Sequence, residues 1–244
     1  MESIWSEEIK IEERKQLPSD RKVEAVVIGA GIAGLLTAFF LQNRGKEVVV
    51  LEAARIASGQ TRNTTAKITS QHGLFYTDLI KRIGNRKAKL YAEANEKAIR
   101  EYRNIISQCQ IECEFENLPS LLYSQRDEEQ LRREADAAAS LGIVSHFTKK
   151  NELPFSTVGA VCFEEQAQFH PLQFVQALAQ QLKVYENTRA ISVKGHVIET
   201  NRGKVEAEQI IFATHYPFIN VPGFYFLRQH QERSMWPPAL KSGV

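Results

Sequence analysis

The residues with the clearest chemical potential are three glycines near the N-terminus. The segment Gly29-Ala30-Gly31-Ile32-Ala33-Gly34 follows the apolar run Glu24–Ile28 and precedes an apolar stretch that continues to Leu41. This order predicts a buried strand, a glycine turn and a helix. The first glycine permits the sharp turn, the second lets the backbone approach a pyrophosphate, and the third allows close helix–strand packing. The N–H groups at the start of the helix would attract the phosphates.

A glutamate completes this pattern. The second predicted strand, Glu47–Leu51, leads to Glu52, and the whole stretch is written G-x-G-x-x-G-x3-A-x2-L-x3-G-x2-V-x-V-x-E. A carboxylate only accepts hydrogen bonds, so it can bind both ribose hydroxyls of an adenosine, and its charge would repel a 2′-phosphate. The pattern predicts a dinucleotide site and disfavours NADP. The alternative is a plain βαβ unit that binds no ligand.

The residues after Glu52 bear on the choice between FAD and NAD. Ser58–His72 contains nine neutral polar side chains among fifteen residues, namely Ser58, Gln60, Thr61, Asn63, Thr64, Thr65, Thr69, Ser70 and Gln71. A simple NAD domain usually continues with another helical crossover. A hydroxyl- and amide-rich segment suits a cofactor whose second half extends over the sheet and needs donors. The alternative is an exposed Ser/Thr loop.

Joined to the Gly29–Glu52 pattern, the segment ARIASGQTRNTTAKITSQHGL resembles the FAD-dependent oxidoreductases of the glycine oxidase and D-amino-acid oxidase superfamily. Its TTAK-x-TSQH motif is most similar to a bacterial subgroup that carries a Rieske iron–sulfur domain after the flavoprotein part. His170-Pro171 and the following LQFVQALAQQL resemble the family's proline-led helix. VYENTRAI (184–191) resembles the strand whose end touches the adenine, and IIFATH (210–215) resembles the strand end that closes over the dinucleotide, with His215 in place of a glycine.

This resemblance implies FAD as the cofactor and oxidation of a small amine or amino-acid-like substrate by hydride transfer to the flavin. It implies Lys67 as a basic residue near the ring, and His72 as a group that hydrogen-bonds the flavin or carries it covalently; these two are the candidate catalytic residues. The expected cofactor-binding residues are Gly29, Ala30, Gly31, Ile32, Ala33, Gly34, Glu52, Ala53, Thr61, Thr64, Thr65, Ala66, Lys67, Ala190, Ala213, Thr214 and His215.

The remaining pattern predicts elements that support this site. Apolar spacing predicts helices over 75–84, 85–109, 127–141 and 171–182. Short β-type runs predict strands at 113–115, 121–124, 158–163, 184–185, 190–193, 196–200, 204–207 and 208–213. Asn201-Arg202-Gly203 predicts a hairpin turn. A further strand is expected to begin in the segment Phe224–Ser234.

The expected fold class is α/β. The resemblance implies a Rossmann-like FAD-binding domain of the glutathione-reductase type, with a parallel sheet and a β-meander, and an inserted, incomplete α+β substrate domain. The boundaries are an N-terminal extension at 1–20, a discontinuous FAD-binding domain at 21–110 and 165–222, and a partial substrate domain at 111–164 and 223–244. The family continues well past this length, so the chain is expected to be its N-terminal portion.

Composition narrows the class of protein. Thirty-one Lys and Arg residues against 29 Asp and Glu give a net charge of +2, too balanced to predict nucleic acid or an anionic membrane as the main partner. The first twenty residues contain no apolar signal-peptide core, and a cytoplasmic protein without a membrane span is expected. The three cysteines, Cys109, Cys113 and Cys162, have no CxxC spacing or closely following His, so no metal site is expected.

Two other functions stay open at this level. An NAD-dependent dehydrogenase is the first, although the Thr-rich segment and the predicted meander argue against it. The second is a catalytically silent dinucleotide-binding or interaction protein that associates with itself through an unfinished sheet edge. An iron–sulfur electron-transfer partner is a further expectation, which follows from the Rieske-carrying subgroup.

Overall fold

The structure is a computed structural model that describes residues 3–150, 153–219 and 223–229. The helices are α1 (Ile4–Glu8), α2 (Ile32–Gln42), α3 (Tyr76–Gln108), α4 (Glu128–Ser140) and α5 (Pro171–Gln180). The strands are β1 (Arg21–Ile28), β2 (Val48–Leu51), β3 (Lys67–Ile68), β4 (Glu116–Asn117), β5 (Ser120–Ser124), β6 (Ser145–Thr148), β7 (Gly159–Phe163), β8 (Ala167–Gln168), β9 (Val184–Tyr185), β10 (Ala190–Lys194), β11 (Val197–Thr200) and β12 (Lys204–Phe212).

The chain forms two compact units, each discontinuous in sequence. One, here the nucleotide-fold unit, contains Arg14–Arg55 and the described residues from Leu182 onward. The other, here the helical unit, contains the described residues up to Glu13 and those of Ile56–Gln181. The assignment of residue ranges to a cofactor domain and a substrate domain stays a prediction.

The nucleotide-fold unit is built on one six-stranded mixed sheet. Its strand order is β10-β11-β12-β1-β2-β9. The four strands from β12 to β9 pair in parallel, whereas β10, β11 and β12 form an antiparallel meander. The expected α/β class is therefore confirmed, with a mixed sheet. Since β1 lies between β2 and β12, the chain segments that follow these three strands emerge side by side at one edge of the sheet.

Residue pattern explains these strands. β2 is buried throughout and β1 is buried from Ala25 to Ile28, and both buried stretches are rich in valine, as expected for parallel strands covered on both faces. Helix α2 packs on them through Leu35, Ala38 and Phe39. One sheet face carries a core that the sequence did not reveal as continuous, made of Leu17, Val23, Val26, Ile28, Val49, Leu51, Tyr185, Ala190, Ile198, Val205 and Ala207.

The helical unit contains two small three-stranded sheets, ordered β3-β8-β4 and β5-β7-β6. Helices α3 and α4 pack on the second sheet around Tyr76, Leu131 and Phe163. Helix α3 is interrupted at Gly84, whose φ is 76° and ψ 158°, so the two predicted helices meet there. Helix α5 begins at Pro171, and the His170 imidazole Nδ1 accepts a hydrogen bond from Gln173 N at 3.3 Å, which confirms the proline-led helix.

Two strand predictions were wrong. The stretch Cys113–Phe115 is not a strand, because Glu114 has a φ of 49° and turns the chain before β4 begins at Glu116. The predicted strands 204–207 and 208–213 are a single strand, β12. Its first residues pair with β11 and its whole length pairs with β1, so two partners stabilise one continuous element. The hairpin turn at 201–203 between β11 and β12 is confirmed.

The strand expected from Phe224 is also wrong over the residues that the structure describes. Phe224 has a φ of 43°, and a single 3₁₀ turn, Tyr225–Arg228, follows it. A positive φ is unfavourable for a bulky residue in a strand. The rest of that predicted element, residues 230–234, lies outside the described residues.

Within the described residues, no helix is both long and apolar enough to cross a lipid bilayer.

Candidate dinucleotide site

The glycine turn lies at the end of β1 and forms the floor of the candidate site. Gly29 has a φ of +110°, and a Cβ there would stand 2.6 Å from the Ala213 carbonyl oxygen. A Cβ on Gly34 would stand 1.9 Å from the Gly29 oxygen. These contacts explain the first and third glycines by chain direction and by close packing. The predicted approach of a phosphate to Gly31 stays a prediction.

Helix α2 begins directly after this turn. Its N-cap is Gly31, which offers no side-chain cap, and within this fully described helix the first turn holds no acidic residue. The positive end of the helix dipole is therefore not neutralised by a side chain of the helix itself, which is the arrangement that favours a bound phosphate. Ala30 is buried beneath the turn, whereas Ala33 is exposed on the helix.

Glu52 is held beside the glycine turn by the backbone. Its Oε2 accepts from Ala30 N at 2.8 Å, and its Oε1 accepts from Ala54 N at 2.9 Å. These two hydrogen bonds orient the side chain. Each carboxylate oxygen can still accept a second hydrogen bond, for example from a ribose hydroxyl. Glu52 is half-buried and Ala53 beside it is exposed. The structure thus brings the two ends of the sequence pattern into direct contact.

The loop after β9 contacts the same region and contains a residue set that the sequence analysis missed. Thr188 N donates to the Glu52 carbonyl oxygen at 2.8 Å, and Asn187 N donates to the Ala54 oxygen at 3.0 Å. Glu186 is fully buried, with Arg55 Nε 3.0 Å from its Oε2. A glutamate directly after a buried strand was the available signal, since buried carboxylates are retained only when paired.

Ala190, the residue expected near the adenine, ends this loop as the first residue of β10. It is buried in the sheet core and pairs with Thr200 on β11. The hydrogen bonds of the loop place Thr188, two residues earlier, against Glu52. The structure therefore connects Ala190 to the Glu52 region through the loop. Its predicted contact with adenine stays a prediction.

The segment after β12 lies beside the glycine turn. Ala213 N donates to Ile28 O at 2.8 Å, which continues the pairing of β12 with β1. His215 has a φ of 61°, a left-handed conformation that explains why glycine is expected at this position. Thr214 and His215 border a cavity of about 460 Å³ whose other walls include Phe212, Tyr216 and Phe218. This aromatic cavity was not predicted.

The Thr-rich residues lie in the helical unit. Thr61 is buried in a 3₁₀ turn, Gln60–Asn63. Thr64 O accepts from Trp5 Nε1 at 2.9 Å, which ties α1 to this segment. Thr65 is exposed, and the buried Ala66 has a φ of 60°. These residues and Lys67 lie close together along the chain, within residues 61–67.

The two candidate catalytic residues are both exposed side chains of the helical unit. Lys67 is exposed on β3, opposite Gln168 on β8. His72 is exposed too, with its Nε2 3.4 Å from Asn95 Oδ1 and its ring edge-on to Phe75 and Tyr91. These contacts orient the His72 imidazole. They do not by themselves assign it a role in chemistry.

Other polar residues of the same segment have structural partners. Ser70 is fully buried, its Oγ 2.6 Å from Glu96 Oε1 and its N 2.7 Å from Gln166 Oε1. Gln71 Oε1 accepts a hydrogen bond from Ser120 Oγ, and Gln71 Nε2 donates one to the Val161 carbonyl oxygen. The polarity of Ser58–His72 therefore partly serves the fold of the helical unit, which the sequence could not show because these partners are distant along the chain.

Known proteins resemble this chain in sequence and in fold. The sequence model of the DAO family, described as FAD-dependent oxidoreductase, matches residues 24–231. YhfW of Bacillus subtilis, named as a Rieske 2Fe-2S iron–sulfur protein, is 33% identical over 96% of this chain and 48% of its own length. Among solved structures, L-proline dehydrogenase from P. horikoshii has a TM-score of 0.64 at 21% identity, covering 81% of this chain and 54% of that one.

Glycine oxidase from Geobacillus kaustophilus gives a TM-score of 0.62 at 19% identity, covering 79% of this chain and 55% of that one. The chain thus spans about half the length of the relatives it matches. The family match covers the glycine turn, Glu52, the Thr-rich segment and the end of β12. The chain belongs to the DAO family of FAD-dependent oxidoreductases.

Proposed function

We propose that this chain is the cofactor-binding portion of an FAD-dependent oxidoreductase that acts on a small amine or amino-acid-like substrate. The observation that carries the proposal is the contact between Glu52 and the glycine turn, which together supply a ribose acceptor and a phosphate-binding helix end. Similarity of fold to an L-proline dehydrogenase and a glycine oxidase supports the substrate class.

The residues that would hold FAD fit its chemistry. The backbone of Gly31–Gly34 would bind the pyrophosphate, because the first turn of helix α2 holds no acidic residue. Ala30 N, which donates to Glu52, would border the same phosphates. Glu52 would accept from the ribose hydroxyls while Ala30 N and Ala54 N keep it in place. Ala190, Ala213 and Thr214 would border the adenosine half. Ala53, Thr61, Thr64, Thr65, Ala66 and His215 are proposed as further contacts.

The chemistry that FAD supplies when bound is acceptance of a hydride from the substrate carbon. Lys67 would stabilise negative charge that develops on the ring, because a fixed cation lowers the energy of a nearby anion. The His72 imidazole would form a hydrogen bond with the flavin. Asn95 and two aromatic rings already orient this imidazole. The proposal requires no side chain to move a proton.

The experiment is an absorption spectrum of the purified protein before and after addition of FAD, followed by desalting. We expect flavin bands that stay with the protein. Glu52→Gln should weaken FAD affinity by roughly tenfold or more, since hydrogen bonds to a charged acceptor are worth about 1.5–3 kcal/mol. Glu208→Gln changes an exposed glutamate on β12 of the same unit, and this matched control should bind FAD as the parent does.

A folded protein that takes up no FAD would contradict the proposal, and stabilisation by NAD alone would favour the dehydrogenase alternative. The substrate class has a separate test. Amino acids and small amines are added anaerobically to the FAD-loaded protein, and bleaching of the flavin bands identifies a substrate. Tight FAD binding without bleaching by any of them would contradict the substrate class and leave cofactor binding intact.

We also propose an iron–sulfur domain as the electron-accepting partner, supported by the likeness to YhfW. Adding the purified Rieske portion of YhfW to the reduced protein should accelerate flavin reoxidation above the rate in buffer. An unchanged rate would contradict this partner. Self-association through β9 or β10, the two edge strands of the six-stranded sheet, stays a prediction that sedimentation velocity tests.

A further inference from the structure

A cluster of three different metal-ligating side chains lies on the β5-β7-β6 sheet of the helical unit. His146 on β6 stands directly opposite Cys162 on β7 in the antiparallel register. Directly opposite residues project from the same face of a sheet. Glu164 follows Cys162 by two residues, so the alternation of a strand places its side chain on that face too. The cluster shares no residue with the proposed flavin site.

The ligand atoms are already close to the spacing that a metal would require. Glu164 Oε1 lies 3.4 Å from Cys162 Sγ and 3.8 Å from His146 Nδ1. One ligand atom from each of the three residues can be chosen so that all lie within 4.8 Å of one another. A tetrahedral zinc site with bonds of 2.0–2.3 Å places ligand atoms roughly 3.4–3.6 Å apart. Small side-chain adjustments would therefore bring all three atoms onto one ion.

The surroundings of the cluster favour a cation. Cys162 is buried, Glu164 is half-buried and His146 is exposed, so the group opens to solvent on one side. Among the described residues, no lysine or arginine forms an ion pair with Glu164.

Hydrogen bonds and a packed core support the strands that carry the cluster. Glu164 N donates to the Val144 carbonyl at 2.9 Å, which extends the β6–β7 pairing beyond the ends of both strands. Gln166 Nε2 donates to the Glu164 carbonyl at 2.7 Å. On the opposite side of the sheet, Phe163 and Val161 are fully buried in the core of the unit. Ligands carried by paired strands hold their geometry better than ligands on loops.

We propose that His146, Cys162 and Glu164 bind a divalent cation of the zinc class, with a fourth coordination position open to water. Imidazole, thiolate and carboxylate are the three protein ligand types that zinc accepts, and hard cations such as Mg²⁺ would not select a thiolate. Three protein ligands with an open position differ from a closed structural site, which has four.

The test is a titration of the purified protein, with its flavin if it carries one, with cobalt(II) as the zinc probe. Difference spectra against the protein without cobalt remove any flavin absorption. We expect thiolate-to-cobalt charge transfer in the near ultraviolet and visible bands of a tetrahedral ion, both displaced by zinc. Glu164→Gln, His146→Asn and Cys162→Ser should each weaken cobalt affinity by at least roughly tenfold, because even residues behind the ligands are worth 10–100-fold.

The control variants are Cys109→Ser and His196→Asn, which change a cysteine and an exposed histidine elsewhere in the chain. Both should keep the parent spectrum and affinity. Glu164→Gln and His146→Asn alter partly exposed side chains, so their folds should survive, and zinc should raise the melting temperature of the parent protein but not of these variants. Absence of charge transfer in the parent, its persistence in Cys162→Ser, or unchanged affinity in His146→Asn would each overturn the proposal.

Discussion

The Gly29–Glu52 segment and the Ser58–His72 segment meet different physical demands. In the first, backbone geometry dictates residue type, because a Cβ at Gly29 or Gly34 would collide with a carbonyl oxygen. In the second, a side chain such as Ser70 is fixed by partners far away in sequence, Glu96 and Gln166. Sequence pattern reports the first kind of demand directly. It reports the second only as polarity, which a cofactor and a buried network explain equally well.

The largest effect is expected from Gly34→Ala, which tests whether backbone geometry requires glycine at the start of α2. Helix propensity alone would make alanine about 1 kcal/mol more stable than glycine in α2. The 1.9 Å approach to the Gly29 oxygen predicts the opposite sign, with the free energy of unfolding lowered by about 3 kcal/mol or more. Urea unfolding followed by circular dichroism measures it. Gly59→Ala, where a Cβ meets open space, should change the value by less than about 1 kcal/mol.

The next effect concerns the helical unit. The buried Glu134 carboxylate accepts from the backbone N–H groups of Phe75, Tyr76 and Thr77, which begin helix α3. Glu134→Ala should lower the free energy of unfolding by about 2–3 kcal/mol, because it leaves buried donors unsatisfied at a helix N-terminus. Glu129→Ala, on the same helix but exposed and paired with Arg133, should cost about 0.5 kcal/mol or less. Equal losses in the two variants would refute the capping role.

Within the polar segment, Ser70→Ala and Thr65→Ala separate fold from cofactor binding. Ser70→Ala should lower the free energy of unfolding by about 1–2 kcal/mol, since Glu96 and Gln166 lose a buried partner. Thr65 is exposed, so Thr65→Ala should leave stability within about 0.5 kcal/mol of the parent. If Thr65 contacts FAD, the same change should weaken FAD affinity by about tenfold in a fluorescence titration. Unchanged affinity would remove Thr65 from the site.

The smallest effect is expected at His215, whose φ is 61°. His215→Gly relieves a left-handed conformation that costs about 1–2 kcal/mol, but it adds freedom to the unfolded chain that costs about 0.4–1 kcal/mol. Because the two terms largely offset each other, we expect the free energy of unfolding to change by no more than about 1 kcal/mol, as measured by thermal unfolding. His215→Val should cost about 1 kcal/mol or more, because a β-branched residue tolerates positive φ poorly. A valine variant as stable as the parent would show that the backbone at this position relaxes.

Local rules account for what the sequence predicted well. The strand–turn–helix–strand unit up to Glu52, the Asn201-Arg202-Gly203 hairpin and the helix begun by Pro171 all depend on residues within a few positions of one another. The division of residues 204–213 into two predicted strands failed for a non-local reason. β12 is one strand because β1 pairs along its whole length, and no local pattern in 204–213 contains that information.

The metal-ligand cluster illustrates the same limit. Cysteine spacing predicted no metal site, since no CxxC or nearby histidine is present. Cys162 and His146 are sixteen positions apart and become neighbours only through the register of β6 on β7. A one-residue slip in that register would place the two side chains on opposite faces of the sheet.

The sequence by itself determined the strand–turn–helix–strand unit that ends at Glu52, because turn conformation, helix start and acceptor chemistry are properties of short segments. The order of the six strands, the pairing of Glu186 with Arg55, the Glu134 cap on α3 and the His146–Cys162–Glu164 cluster were decided by tertiary structure. Each of these brings together residues from separate elements. Their proximity results from strand register and core packing over the whole unit, which no short segment specifies.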